Sequence, residues 1–234
     1  MIIYIGIDDT DNKTSRGTGR LARAIAADLE RDYRLLGVTR HQLLFDPRIP
    51  FTAKNSSATI SLEAPGPEFT TPDALKTLFA RVRAIMDADY QPGSDPGLCV
   101  AANVPQAIVD FGRQAQHFMV DQYLTRQLAA ENGILLQGLG GNQGGVIGAL
   151  ASVGLAASGN DGRYIMVGHL RELSGEMPIE TILAAGVSAV QTLEGEPVSD
   201  ILLQADKLRP ARRNGMPIQY VAFQDGAWTP LKLD

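Results

Sequence analysis

The chain has one cysteine, Cys99, in 234 residues. A single thiol excludes an internal disulfide and any zinc module built on several cysteines. Cys99 sits in the apolar run Gly97-Leu98-Cys99-Val100-Ala101-Ala102, which predicts a buried structural thiol rather than a nucleophile. The three histidines, His41, His117 and His169, are scattered without metal-ligand spacing. No hydrophobic run approaches the ~18 residues of a membrane span. No signal peptide is expected either, because Ile2-Ile3-Tyr4-Ile5 gives way to acids within a few residues, and the expected location is cytoplasmic. Positive charge is also scarce: 21 Lys and Arg stand against 26 Asp and Glu, a net charge of −5. That balance argues against broad electrostatic capture of nucleic acid, although a local patch could still hold it. What remains is 44% hydrophobic, ample for one or two packed domains.

The most informative stretch is Gly6-Ile7-Asp8-Asp9-Thr10-Asp11, where three carboxylates crowd the end of an apolar strand. Carboxylates so close repel one another, and a cation relieves that cost; Mg²⁺ in particular takes one or two carboxylates plus waters and substrate phosphates. A metal-nucleotide site is one reading, and a solvated acidic turn capping the next helix is the other. The continuation favours the first. Asn12 to Gly19 supplies small residues, two glycines and Arg16, and Leu21, Ile25 and Leu29 then recur on one helix face. Strand, acidic turn, Gly-containing loop and helix start place backbone N–H groups beside the acids, a setting that suits phosphates. The loop lacks the Walker pattern. Asp9-Thr10-Asp11 also fits the DxD of haloacid-dehalogenase-type phosphatases, with Asp9 as nucleophile, but Lys13 breaks that pattern and no later Asp pair completes it.

The first hundred residues alternate strand, helix, strand, strand, helix, strand: residues 2–8, 18–31, 35–45, 58–63, a helix opened by Thr71-Pro72-Asp73, and 98–103. In the second helix Leu75, Leu78, Phe79, Val82 and Met86 share a face, with Thr71 as N-cap and Pro72 in the first turn. The order matches an α+β, ferredoxin-like split βαβ unit whose helices cover one face of an antiparallel sheet. Beyond it, one helix is expected over 113–132, a short strand over 134–137, a helix opened by the glycines of residues 138–145 and running to Ala157, and a strand over 163–170. The small residues Gly148, Ala149, Ala151, Ser152 and Gly154 fit close backbone packing, and the glycines before them fit an anion nest. From Pro197 the chain reads as short strands and turns. The expected organisation is therefore an αβ region over 1–110 with the acidic site, a second αβ region over 111–190 free to interleave with it, and a β appendage over 191–234. Of two basic patches, Arg16, Arg20 and Arg23 flank the acids, while Lys207, Arg209, Arg212 and Arg213 read as a solvated connection between strands.

Several blocks together resemble the archaeal tRNA(Ile2) 2-agmatinylcytidine synthetase family, in its kinase-like and ferredoxin-like domains. Gly6 to Asp11 resembles the opening motif, and Ser15-Arg16-Gly17-Thr18-Gly19-Arg20-Leu21-Ala22 the loop after it. Asp46-Pro47-Arg48-Ile49-Pro50-Phe51 is similar to an NPNIPW-like segment and Ser94-Asp95-Pro96-Gly97 to an NPG turn. Gly145 to Gly154 is similar to a GLIGALAAIG helix, and Asp161-Gly162-Arg163-Tyr164 to a DxTY strand. The likeness spans residues 1 to 172, in order.

The resemblance implies an adjoining kinase-like αβ domain and an ATP- and Mg²⁺-dependent kinase or synthetase that phosphorylates an acceptor for later displacement by an amine such as agmatine. Asp8, Asp9 and Asp11 would hold Mg²⁺ and orient the triphosphate, with Thr10, Gly17, Gly19 and Arg20 around the nucleotide and Arg16 or Arg20 at the γ-phosphate. Thr18 corresponds to a loop threonine that becomes phosphorylated, a helix N-cap being its other reading. Lys54, Asn55, Asp95, Gly97, Gly144 and Gly145 would line the acceptor cleft. The family's KTRGNG is here Thr52-Ala53-Lys54-Asn55-Ser56-Ser57, which alters the loop that builds this cleft. The OB-type and zinc-ribbon regions have no counterpart after residue 172, which argues against tRNA recognition by this chain alone. A nucleotide-binding or regulatory module without transfer activity, presenting its late loop and β tail to a partner protein or a second copy, is the alternative.

Overall fold

A computed structural model describes residues 1–49 and 54–233. Its elements are β1 (Ile2–Asp8), α1 (Thr18–Leu29), β2 (Arg34–Gln42), β3 (Ser56–Glu63), α2 (Pro72–Ala88), β4 (Gly97–Ala101), α3 (Gln106–His117), α4 (Gln122–Glu131), β5 (Leu135–Gly138), α5 (Val146–Ala157) and β6 (Arg163–Met166). There follow β7 (Glu176–Pro178), α6 (Ile179–Ala184), β8 (Ala189–Gln191), β9 (Leu202–Gln204), β10 (Ala211–Arg213), β11 (Met216–Gln224) and β12 (Ala227–Pro230). Strands β2-β3-β1-β4 lie in that order, every pair antiparallel, which is the ferredoxin-like arrangement. The sheet continues to β5 beyond β4, and through β6, β10 and β11 to β12 beyond β2, with β8 also pairing β11. The late strands are thus hydrogen-bonded into the same sheet as the acidic strand.

Alternation along β1 explains the two-sided core. Ile3, Ile5 and Ile7 pack with Leu21, Ile25 and Leu29 of α1 and with Leu78, Val82 and Met86 of α2. Tyr4 faces the other way, into a cluster with Cys99, Ile108, Phe111 and the apolar residues of α5. Both faces are covered by helices, where the ferredoxin-like reading predicts one. That is why all five interior residues of β1 are buried. Cys99 is fully buried, and burial pushes its thiol pKa up. Helix α2 begins as its sequence predicts, with the Thr71 hydroxyl accepting from the Ala74 amide at 3.3 Å and Pro72 following. Thr71→Ala is expected to cost about 1 kcal/mol, read as a lower urea midpoint with unchanged slope.

Two expectations are corrected. The single helix over 113–132 is two helices, because Asp121 caps α4 by accepting from the Tyr123 and Leu124 amides and the chain is extended at Phe118. The late basic loop is not simply solvated: Arg212 is 5% exposed and donates to the Tyr164 hydroxyl at 2.7 Å and the Ala156 carbonyl at 3.2 Å. A second buried polar group lies nearby. His41, fully buried, contacts Thr39 Oγ1 at 2.8 Å through Nε2 and Asp161 at 2.7 Å through Nδ1. Arg113 and Gln116 also donate to Asp161, each at 2.9 Å. Burial would raise the Asp161 carboxyl, but these donors hold it below its ordinary value; burial lowers His41, so the imidazole is neutral. Asp161 can only accept, which assigns the imidazole proton to Nδ1 and leaves Nε2 to accept from Thr39.

Candidate active site

Asp8 is the last residue of β1, and the chain leaves the sheet through Asp9, whose φ of +50° is left-handed. Aspartate is one of the few side chains that occupies this region with little strain. The β1–β4 register sets Asp8 opposite Gly97, which brings Asp95 beside Asp9. Gly97 in turn pairs Gly138 of β5, and the glycine loop that follows folds back over β4. The Asn142 amide donates to Asp95 Oδ1 at 2.7 Å and the Gly145 amide to the Asp95 carbonyl at 2.9 Å.

This closeness depends on missing side chains. A Cβ on Gly6 would overlap the Ala149 carbonyl, one on Gly97 the Gly145 backbone, and one on Gly148 the Asp8 carboxylate. The glycines around α5 therefore serve close packing. The amides of Gly144, Gly145 and Val146 are already committed, to Asn142 Oδ1, Asp95 O and Gln143 O, so the start of α5 is not an open nest.

Asp8, Asp9, Asp11 and Thr18 line one cavity of about 290 Å³ together with Lys54, Asn55, Asp95, Gly144, Gly145 and Gly148. A neighbouring cavity of about 270 Å³ shares Asp11, Thr18, Lys54 and Ser56 and adds Gly17, Gly19, Arg40, Ser57, Ala58 and Ile165. Thr18 sits between the two. It is the first residue of α1, and the cap position belongs to Gly17, so Thr18 is not the N-cap. Its hydroxyl donates to Asp11 Oδ1 at 2.9 Å and accepts from buried Thr10 at 3.1 Å. Arg16 is exposed and lines neither cavity, Arg20 turns to Asp89 at 3.5 Å, and Gly97 is buried beneath the site. Of the Asp46 to Phe51 and Thr52 to Ser57 blocks, Pro50 to Ala53 lie outside the described residues.

The sequence reading missed the opposite wall, made of Leu43, Ala115, Phe118, Met119, Val120 and Ile147, and it missed Arg48, which binds Asp46 at 2.7 Å. Phe118 is 64% exposed, although a phenyl ring in a helix of this period should face the core. An extended apolar run flanked by the capping residue Asp121 was the available signal.

Electrostatics set the acids apart. Burial, then repulsion from Asp9 and Asp11, pushes the Asp8 carboxyl up to about 7. Burial, then Asp95 and Asp11, pushes Asp9 up to about 6. Among the described residues no three His, Cys, Asp or Glu side chains form a ready metal cage. Mg²⁺ needs only one or two carboxylates beside waters and phosphate oxygens, and a pair of acids strained by mutual repulsion is a donor set that fits it.

Sheet order and helix placement can now be compared with solved structures. Two thirds of the chain shares the TiaS fold. A TiaS–tRNA(Ile2)–ATP complex matches at a TM-score of 0.55 and 21% identity, over 66% of this chain and 36% of that one. Apo TiaS, described as tRNA(Ile2) agmatidine synthetase, matches at 0.54 and 21%, over 66% and 35%. A TiaS–tRNA(Ile2)–AMPCPP–agmatine complex matches at 0.53 and 20%, over 65% and 36%. The chain thus spans about a third of the TiaS structures it matches. No family model matches the chain, and no curated protein does. Among the described residues no helix is long and apolar enough to cross a membrane.

Proposed function

We propose that the chain is an ATP- and Mg²⁺-dependent phosphotransferase or ligase-like enzyme related in chemistry to TiaS. The observation that carries this reading is the convergence of Asp8, Asp9, Asp11 and Thr18 on one cavity, with Lys54 at the junction to the next. Phosphoryl transfer asks for positioning and charge neutralisation more than for covalent machinery. Asp8 and Asp9 would hold Mg²⁺, whose contribution when bound is neutralisation of phosphate charge. The N-terminus of α1, uncapped by any side chain, offers amides and the positive end of its dipole to phosphate oxygens. Lys54 adds a positive charge that both cavities share.

Thr18 is the favoured oxygen for covalent transfer. Asp11 Oδ1 accepts the Thr18 hydroxyl's hydrogen bond and would take that proton as Thr18 Oγ1 forms a bond to the γ-phosphorus and the phosphorus–oxygen bond to ADP breaks, ADP leaving, while Thr10 holds the hydroxyl in place from the other side. The apolar wall opposite, from Leu43 to Ile147, offers nonpolar surface to the rest of a bound ligand. Agmatine and tRNA(Ile2), present in the TiaS complexes, are the acceptor chemistry to try first.

The test is incubation with γ-labelled ATP and Mg²⁺, with and without agmatine, followed by peptide mapping. Label on the peptide holding Thr18, absent in Thr18→Val and in Asp9→Asn, is the expected result. ATP binding without turnover under any acceptor would point to a regulatory nucleotide module, and absence of nucleotide binding would remove both readings.

A further inference from the structure

Phe118 and Met119 are 64% and 50% exposed, yet the backbone that carries them is fixed at both ends. The Phe118 amide donates to the Gln114 carbonyl at 2.8 Å, and Asp121 caps α4 three residues later. The stretch is also tied across the cavity. The Leu44 amide donates to the Ala115 carbonyl at 3.1 Å, Gln122 Nε2 donates to the Asn142 carbonyl at 3.2 Å, and the Asn142 amide in turn holds Asp95. The apolar wall is therefore built into the frame that also sets the acids. Exposed apolar side chains that together line a cavity, rather than standing singly on the surface, mark a place where a ligand is received.

The larger cavity has two unlike ends. Asp8, Asp9, Asp11 and Asp95 make one, and Phe118, Met119 and Val120, with Leu43 and Ile147, make the other. A nucleotide has the same two ends, a charged phosphate chain and a flat ring system that stacks on aromatic and apolar side chains. At about 290 Å³ the cavity is at the small end of ligand pockets, which suits one nucleoside rather than a longer chain. Two amide side chains border the wall, and the NH₂ group of each is committed. Asn55 Nδ2 donates to the Leu44 carbonyl at 2.7 Å and Gln122 Nε2 to the Asn142 carbonyl, so each residue keeps its oxygen as the group left for a ligand. Adenine carries an exocyclic amine that such an oxygen accepts from, where guanine carries a carbonyl oxygen that it repels. We propose that Phe118, Met119 and Val120 form the base subsite of the nucleotide, with Phe118 as its stacking face and Asn55 and Gln122 selecting adenine over guanine. The inference rests on the phosphotransferase reading for where the phosphates lie.

The experiment titrates the Mg²⁺ complexes of ATP, GTP and inorganic tripolyphosphate calorimetrically into the wild type, Phe118→Ala, Phe118→Trp, Gln122→Met and Tyr123→Ala, the last an exposed control that does not line the cavity. The wild type should bind ATP about tenfold more tightly than tripolyphosphate, and more tightly than GTP. Phe118→Ala should erase the advantage of ATP over tripolyphosphate while leaving tripolyphosphate binding as it was, and Phe118→Trp should restore it. Gln122→Met should narrow the gap between ATP and GTP, and Tyr123→Ala should move nothing. Equal binding of ATP and tripolyphosphate by the wild type overturns the proposal, as does a loss in Phe118→Ala that is the same for both, which would make the ring a structural part. GTP binding equal to that of ATP overturns the choice of adenine. Free adenosine or cytidine that binds beside tripolyphosphate and is lost in Phe118→Ala, with ATP and tripolyphosphate equal, gives the wall to the acceptor instead. Binding of neither ATP nor tripolyphosphate removes this inference together with the phosphotransferase reading. The expected pattern in a protein without ATP turnover refutes the transfer reading alone and leaves the base subsite standing.

Discussion

Asp8→Asn should produce a protein that is inactive and more stable than the wild type. The carboxyl lies under Gly148, with its pKa pushed up to about 7 by burial and by Asp9 and Asp11. In the unfolded chain an aspartate ionises near pH 4. Below that value both states carry the proton and the residue costs nothing. As the pH rises toward 7 the unfolded state loses its proton first, and the folded state is penalised. Each pKa unit corresponds to about 1.4 kcal/mol, so a shift of this size amounts to roughly 2–4 kcal/mol above pH 7 once some relaxation is allowed. Asparagine keeps the shape and removes the charge. The variant should therefore melt roughly 5–15 °C higher at pH 8, and at the wild-type temperature near pH 4. ATP-dependent turnover should fall by about 10³-fold. Added Mg²⁺ and ATP should raise the melting temperature of the wild type and leave the variant where it is. A variant less stable than the wild type at pH 8 would show that Asp8 is a structural acceptor rather than a strained ligand.

Asp161→Ala should have the largest effect outside the cavity. It removes the acceptor for His41, Arg113 and Gln116 together and leaves the fully buried imidazole N–H without a partner. An orphaned buried donor costs about 1–3 kcal/mol, and loss of the partly exposed arginine pair adds to it, so about 3 kcal/mol is expected, or roughly 6–12 °C of melting temperature. The pH sign is opposite to that at Asp8. The Asp161 carboxyl is held below its ordinary value, so its contribution is present above about pH 4 and disappears as the pH falls through the folded-state pKa. The gap between wild type and Asp161→Asn should accordingly close in acid, and a gap that persists there would contradict the charged assignment.

The ferredoxin-like frame was legible because its helices and strands announce themselves in period: Leu21, Ile25 and Leu29 on α1, and Leu78, Val82 and Met86 on α2, are all in the core. The acidic half of the cavity was legible for a related reason, since Asp8 to Thr18 is one continuous stretch of chain. The other half was not. Leu43, the Ala115–Phe118 end of α3 and Ile147 come from three separate segments, and only the tertiary fold brings them together. The break between α3 and α4 was hidden because Phe118-Met119-Val120 keeps an apolar content that a helix would also show. Arg212 read as surface because nothing local reveals that β10 joins the edge of β6, where Tyr164 waits for a donor. The DxTY-like block, by contrast, was noticed without its reason. Asp161 holds His41, Gly162 has a φ of +76° where a side chain would strike the Arg40 carbonyl, and Tyr164 receives Arg212.

The cover that α5 lays over β1 bears on the order in which a ribosome can complete this protein. The first hundred residues already contain the whole β2-β3-β1-β4 frame and the α1–α2 side of its core. The reverse side of β1, with Tyr4, Gly6 and Asp8, stays wet until residue 157 has emerged, because α5 is what buries it. During that interval Asp8 is an ordinary, fully ionised surface acid. Its perturbed chemistry is created only when α5 docks, so the acidic corner comes into being after the β2-β3-β1-β4 frame has been synthesised and before the strands β6 to β12 that extend the sheet.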